Sequence, residues 1–446
     1  MKTRRQFLRA AAMTVVGAPF ILPAGLRAAS PNSKLSHACI GVTGMGHGDL
    51  KNFQSHERVQ IVALCDVDAK HLEAAAKIVP GARLYTDWRE LFEKEGDRID
   101  SVNVTTPDHM HFPIAHTAVQ RGKNLYCQKP MCHDLSEVRK LSHAAIEKGI
   151  VTQLGTQFAS SIADRMTVEL IRRGAIGRIK HVYLCSNRAA ISRLKGPRPT
   201  TSEEPPPHLK WDHWIGNAPM RPFVSDIYHP RKWRAWQDFG TSWCADMGCH
   251  ILDGTWRGLN LKAPTTVVAE VEESWKNTPE RRTDNWPQSE HVTWTFPGNA
   301  MTEGKELTVE WFDGAMLPPK EARALNPTDT YPTEAALLIG TEGAMLHEHQ
   351  TGPRLLPKGK FQAYERPKPL PRNHYHHYVD ACLGGEKTES HFAQTAPMTE
   401  TILLGTIAIR CPGQKLEWDA AAMKFPNCPE AERYLKRTYR AGWQVG

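Results

Sequence analysis

Between Ser36 and about Gly155 the chain alternates short apolar runs with helical patterns, and this rhythm restricts the fold more than any other feature. His37–Val42 reads as a strand, Leu50–His56 as a helix and Val59–Cys65 as an uninterrupted apolar strand. Ala69–Val79 is an Ala-rich helix, Asp100–Thr105 a strand, and Phe112–Arg121 a helix stopped by Gly122. Asn124–Cys127, Leu135–Lys148 with Gly149 at its end, and Val151–Leu154 continue the series. Strands that are apolar throughout are covered on both faces, which places them in a parallel sheet flanked by helices. The expected fold class is α/β, with a doubly wound parallel Rossmann sheet over residues 35–155.

After Thr156 the rhythm changes. One amphipathic helix spans roughly Ala163–Arg173, and longer strands follow at Ile179–Ser186, Thr265–Glu273, His291–Phe296, Thr308–Trp311 and Ala336–Gly340. Several alternate apolar and polar residues, the pattern of a sheet with one covered face. Lys195–His208, with Pro205-Pro206-Pro207, is expected as an extended arm or surface loop. Helices at His374–Leu383 and Thr399–Cys411 close a second domain over residues 156–446.

The bulk numbers fit a globular protein of two or three domains: 446 residues, 40% hydrophobic, 23% charged. The net charge of +8 is modest and dispersed, so no nucleic-acid partner is expected. The N-terminus reads as an address. Arg4-Arg5 precedes a weakly apolar run from Ala10 to Leu22, which resembles a twin-arginine export signal over residues 1–29. That run is too short to span a bilayer, and no later stretch reaches such a length. Export to the periplasm is the expectation, without stable membrane insertion. The ten cysteines show no zinc spacing; no metal and few or no disulfides are expected.

The first strand runs into Gly41-Val42-Thr43-Gly44-Met45-Gly46. A dinucleotide fingerprint uses three glycines here, for the turn, the approach of the pyrophosphate, and the packing of helix on strand. Thr43 replaces the second, and its Cβ should push the phosphates slightly outward. Asp66 stands 20 residues after Gly46, where a carboxylate accepts from the adenosine ribose hydroxyls. No arginine follows to meet a 2′-phosphate, so NAD is expected rather than NADP.

The next two strands end in Thr105-Thr106-Pro107-Asp108-His109-Met110-His111 and in Cys127-Gln128-Lys129-Pro130. Ligands of doubly wound sheets bind at such carboxyl ends. Lys129 can hold a hydroxyl and lower the cost of removing its proton. Asp246 and His250, four apart, share a helix face. His250 can take the hydroxyl proton while Asp246 orients it or binds a neighbouring hydroxyl. Upstream, Tyr228, Arg231 and Trp236 lie in a stretch of aromatic and basic residues that suits a sugar. Tyr228 or Trp236 is expected to face the pocket before Trp233 does.

Together these residues resemble the Gfo/Idh/MocA oxidoreductases, the family of glucose–fructose oxidoreductase and inositol dehydrogenase. The resemblance rests on the Gly41–Gly46 turn, Thr106-Pro107 with His109 and His111, Gly122-Lys123 leading to Gln128-Lys129-Pro130, Thr156-Gln157, and Asp246 through His250. Trp211–Gly216, Trp236–Gly240, Leu403–Gly405 and Gly442-Trp443 look like its exported subset. It implies a C-terminal α/β domain on a mostly antiparallel open sheet, often used in homo-oligomers. It implies Lys129, Asp246 and His250 as a catalytic trio. Cofactor contacts would come from Gly41, Thr43, Gly44, Met45, Gly46, Asp66, Thr105, Thr106, Pro107, His109, His111, Gln128, Lys129 and Gln157. Substrate contacts would come from Lys129, Tyr228, Arg231, Trp236, Asp246 and His250. The family usually has Glu-Lys-Pro; here Gln128 is neutral.

The function expected is oxidation of a secondary hydroxyl of a sugar, glycoside or cyclitol by a tightly bound NAD. Twin-arginine export carries folded proteins, so the cofactor can be loaded before export. A redox-neutral glycoside hydrolase or lyase on the same fold is the first alternative. A non-catalytic sugar-binding protein is the second.

Overall fold

The computed structural model describes residues 34–187, 197–326 and 330–445. The leader over residues 1–29 and the first two residues of the Pro-rich stretch lie outside them. The first sheet contains β1 (Leu35–Ile40), β2 (Val59–Cys65), β3 (Arg83–Tyr85), β4 (Ser101–Val104), β5 (Asn124–Cys127) and β6 (Thr152–Leu154). Its order is β3-β2-β1-β4-β5-β6, and every pairing is parallel. β4 and the inner half of β2 are wholly buried, as their apolar sequences require. Helices with clear stop and start signals fall where expected. Leu135–Lys148 begins with an Asp134/Glu137 capping box and ends at Gly149 with φ +63°.

Around this first sheet, two elements escape the periodic reading. β3 has three residues, two of them exposed, so its apolar signal is weak. The helix Trp88–Glu95 follows it, capped by the Asp87 side chain. The first helix also starts earlier than its apolar pattern, at Met45, because the glycine-rich turn feeds directly into it.

The second sheet contains β7 (Ile179–Ser186), β8 (Thr266–Val271), β9 (Glu290–Pro297), β10 (Glu306–Asp313), β11 (Glu334–Gly340), β12 (Ala344–Glu348), β13 (Arg354–Leu356) and β14 (Leu416–Glu417). The order is β13-β12-β11-β7-β10-β9-β8-β14. Only β7 and β10 run parallel; the other pairs are antiparallel. The buried helix Phe392–Arg410 packs against the β8–β9 part of this sheet. It begins seven residues before the expected Thr399, with Pro397 inside its early turns. A proline reads as a boundary in sequence, but tertiary burial carries the helix through it.

Two of the segments that cross between the sheets border the site's two halves. The helix His374–Cys382 returns to the first one, where Tyr375, Tyr378 and Val379 pack with Phe53 and Tyr126. The arm over residues 197–240 folds around its own aromatic cluster, with Trp211 and Trp214 stacked at 4.7 Å. It is bonded to the turn after β2: Ala69 N donates to His208 O (2.9 Å) and Lys210 N to Val67 O (2.9 Å). Among the described residues no helix is long and apolar enough to cross a membrane. All ten cysteines are free.

Candidate active site

The strand order reverses between β1 and β4, and ligands of doubly wound sheets bind at such a switch point. A cavity of about 720 Å³ lies there, a common size for small-molecule sites. Turns following β1, β2, β4, β5 and β6 supply one wall; the helix Ser242–Ile251 and the arm supply the other.

At the β1 turn Gly41 has φ +82°, and a Cβ there would run into the Thr105 carbonyl. A Cβ on Gly46 would run into the Gly41 carbonyl. The first and third glycines are therefore set by backbone contact. Thr43, Gly44 and Met45 are exposed along the rim, whereas Gly46 is buried beneath them and does not line the cavity. The helix Met45–Gln54 has no side-chain cap, so its amino end is open to an anion. Asp66 borders the cavity, with its carboxylate fixed by Val42 N (3.0 Å) and Asp68 N (3.0 Å). Thr106 Oγ1 is buried at the wall with no hydrogen-bond partner. This cradle, open amino end, carboxylate and orphaned hydroxyl fit a dinucleotide. Thr105, Pro107, Gln128 and Gln157 also line it.

Lys129, Asp246 and His250 line the same cavity. Lys129 Nζ donates to Asp246 Oδ1 (2.8 Å) and to its backbone carbonyl (2.6 Å). Arg234 Nε adds a longer bond to Oδ1 (3.4 Å). Burial alone would raise the Asp246 carboxyl; Lys129 and Arg234 outweigh it and hold the group well below the usual carboxylate range. His250 sits one helical turn on. Burial, reinforced by Lys129, pushes its imidazole well below the ordinary value, so it is neutral near pH 7. Its Nδ1 is buried with no hydrogen-bond partner. The rings of His349 and Phe158 lie 5.4 and 6.3 Å away.

Besides Gly46, four expected contacts fall elsewhere. His109 is fully buried behind its turn, with Nε2 at the Trp214 carbonyl (3.0 Å) and its ring against Phe239. His111 places its nitrogens at the carbonyls of Thr106 and Pro130, both 2.8 Å, and so joins the turns after β4 and β5. Neither lines the cavity. Tyr228 and Trp236 are interior members of the aromatic cluster, 1% and 2% exposed. Trp233 reaches the cavity instead, with Arg231 and Arg234 beside it. The order expected from sequence is thus reversed, because Tyr228 and Trp236 fill the core of the arm. Trp236 Nε1 is tied inward to Ile227 O (2.9 Å).

Three further residues carry the site. Arg234 stands within the aromatic–basic stretch and Asp108 within the Thr105–His111 turn, so both had a local signal. Asp108 accepts from Thr241 Oγ1 (2.7 Å); burial, then the charge of Asp246, pushes it up to about 7. Asp49 had none. Fully buried on the first helix, it accepts from Gln128 Nε2 (3.0 Å), Thr105 Oγ1 (2.8 Å) and Tyr375 OH (2.7 Å), and burial raises it to about 6.

A parallel sheet with a glycine cradle, joined across one cavity to a mostly antiparallel domain, defines a two-domain dinucleotide-binding protein. The particular family follows from the comparisons. Residues 35–156 match the NAD-binding Rossmann fold of the oxidoreductase family, and residues 193–297 match its C-terminal alpha/beta domain. The chain belongs to the Gfo/Idh/MocA oxidoreductases. It is 29% identical over 140 residues to the D-apiose dehydrogenase of Paraburkholderia graminis, covering 31% of this chain and 37% of that one. It is 35% identical over 122 residues to a glycosyl hydrolase family 109 protein of Streptomyces filamentosus, covering 25% of this chain and 24% of that one. The matched segments thus span about a third and a quarter of these relatives' lengths. The aldose–aldose oxidoreductase of Caulobacter crescentus shares the fold. Its TM-score is 0.59 at 15% identity, covering 86% of this chain and 100% of that one.

Proposed function

We propose that this protein is an NAD-dependent dehydrogenase that oxidises a secondary hydroxyl of a sugar, glycoside or cyclitol. The observation that carries this is the meeting of Lys129, Asp246 and His250, from both halves of the chain, at one cavity beside the glycine cradle. Gly41, Thr43, Gly44, Met45 and Asp66 would hold the dinucleotide, with Thr105, Thr106, Pro107, Gln128 and Gln157 along its length. When bound, the nicotinamide supplies the hydride acceptor. Lys129 holds the alcohol oxygen and stabilises charge as the proton leaves. Neutral His250 takes that proton. Asp246 orients Lys129 through two bonds, and Arg234 steadies Asp246. Arg231 and Trp233 border the space for the remaining hydroxyls and the CH face.

The reading includes a cofactor that is held tightly and recycled without release, export through the twin-arginine route, and a homodimer or homotetramer. Arg4-Arg5 and its apolar run support export; fractionation of the native host, with the chain found in the cytoplasm, would count against it. Light scattering on the purified chain tests the assembly, and a monomer contradicts it. The catalytic reading is tested by incubating purified protein with a panel of sugars, glycosides and cyclitols and following reduced-nicotinamide absorbance. At least one substrate should reduce the cofactor, and Lys129→Ala should not respond. A panel in which no compound reduces it, with cofactor shown to be bound, overturns the dehydrogenase reading.

The match to a glycosyl hydrolase family 109 protein favours one alternative, a redox-neutral cleavage in the same cavity. Release of reducing sugar from a glycoside without net cofactor turnover selects it.

A further inference from the structure

At the Asp66 end of the cavity, three histidines from distant parts of the chain converge on one buried carboxylate. Asp68 caps the helix Ala69–Ala76: its Oδ1 accepts from Lys70 N (2.9 Å) and meets His208 Nδ1 at 3.0 Å. Its Oδ2 faces His229 Nε2 at 3.3 Å and His71 Nδ1 at 3.8 Å. One ligating atom each from Asp68, His71 and His229 lies within 4.8 Å of the others.

The position of His71 is the informative detail. Its Nδ1 is buried and lies in ion-pair range of two carboxylates, Asp66 and then Asp68, which raise the imidazole above its ordinary value. The nearest carboxylate oxygens, on Asp66 and Asp68, stand 3.7 and 3.8 Å away. That is too far for a hydrogen bond. Two ligands of a tetrahedral ion at about 2.0–2.2 Å stand about 3.3–3.6 Å apart; His229 and Asp68 already have that spacing, at 3.3 Å, and His71 lies slightly outside it. Two carboxylates facing imidazoles supply negative charge without enough oxygens for calcium or magnesium. Imidazole and carboxylate together suit zinc or a similar transition ion.

We propose that Asp68, His71 and His229 bind one zinc-class divalent cation. His208, on the other oxygen of Asp68, orients that carboxylate from outside. Such an ion joins the helix Ala69–Ala76 and its cap to the arm, since Asp68 and His71 come from the first and His229 from the second. It borders the Asp66 end of the same cavity that Lys129 and His250 line, and none of its three ligands is a dinucleotide atom.

The test uses the full purified chain after chelation and dialysis, titrated with zinc chloride by calorimetry, with and without added NAD. One equivalent should bind in the absence of NAD. His71→Ala and His229→Ala should each weaken binding by at least ~10-fold, with His143→Ala, a histidine outside the cluster, as control. Cobalt(II) should give visible ligand-field absorption that is lost in both cluster variants. Thermal melting of each variant without metal confirms folding, and an unfolded variant is replaced by His71→Gln or His229→Gln. No zinc binding to the folded parent, or binding unchanged in both cluster variants, overturns the site. NAD binding measured in the same runs keeps that result distinct from the fate of the dehydrogenase reading.

Discussion

The two ends of the cavity are built in opposite ways. At the Lys129 end, charged groups from a strand terminus, one helix and the arm meet directly, with Asp246 paired to both Lys129 and Arg234. At the Asp66 end, a fixed carboxylate and an open helix amino end are overlaid by an arm from more than a hundred residues away. The first arrangement suits proton movement, because a buried ion pair lies beside a neutral imidazole. The second suits retention, because two backbone bonds and the Asp68 side chain hold the arm over the turn. One end should therefore govern turnover and the other should govern affinity for the cofactor.

Substitutions can break this division. Lys129→Ala should have the largest effect, lowering kcat by about 10³–10⁴-fold while leaving NAD affinity within a few-fold; stopped-flow and calorimetry on the same preparation read both. His250→Gln should lower kcat by about 10²–10³-fold. Because burial keeps His250 neutral well below its ordinary value, the parent should stay active below pH 6.5 as far as this group is concerned. Loss of activity on an imidazole-like limb at that pH, absent in His250→Gln, would contradict the burial. At the other end, Asp66→Asn should weaken NAD by roughly 10–100-fold, the value of a charge-assisted hydrogen bond. Its kcat at saturation should be close to that of the parent. A variant that loses turnover but not affinity would place Asp66 with the chemistry.

Asp108, at the Lys129 end beside Asp246, is read through stability rather than turnover. Its folded value of about 7 is raised above the ordinary 3.8, so the native state holds a proton that the unfolded chain releases. Stability from this group is complete below about pH 4 and is lost as pH rises towards 7. Chemical denaturation of the parent and Asp108→Asn between those limits should diverge by at most about 1.4 kcal/mol per pH unit. Parallel curves contradict the assignment.

The sequence revealed the Lys129 end more fully than the Asp66 end, for physical reasons. Asp246 and His250 are joined by helical spacing, and Lys129 closely follows the short strand Asn124–Cys127; both are local patterns. Asp49, His208 and His349 reach the site only through tertiary packing, so no window of the chain contains their partners. The expectation of no metal rested on cysteine spacing, and it is opposed only by the cation site proposed at Asp68, His71 and His229. Aromatic residues misled for a related reason: Tyr228, Trp233 and Trp236 have the same composition signal, and only the packing of the arm decides which faces inward. The parallel sheet was legible because buried strands have little freedom in sequence. The short β3 was not, since two of its three residues are exposed.

The most direct test of the central claim is the nicotinamide content of protein purified without added cofactor. After denaturation, mass spectrometry of the released small molecules should find NAD or NADH approaching one per chain. No dinucleotide in that fraction, together with no heat of NAD binding to the refolded or as-purified chain, would contradict the account.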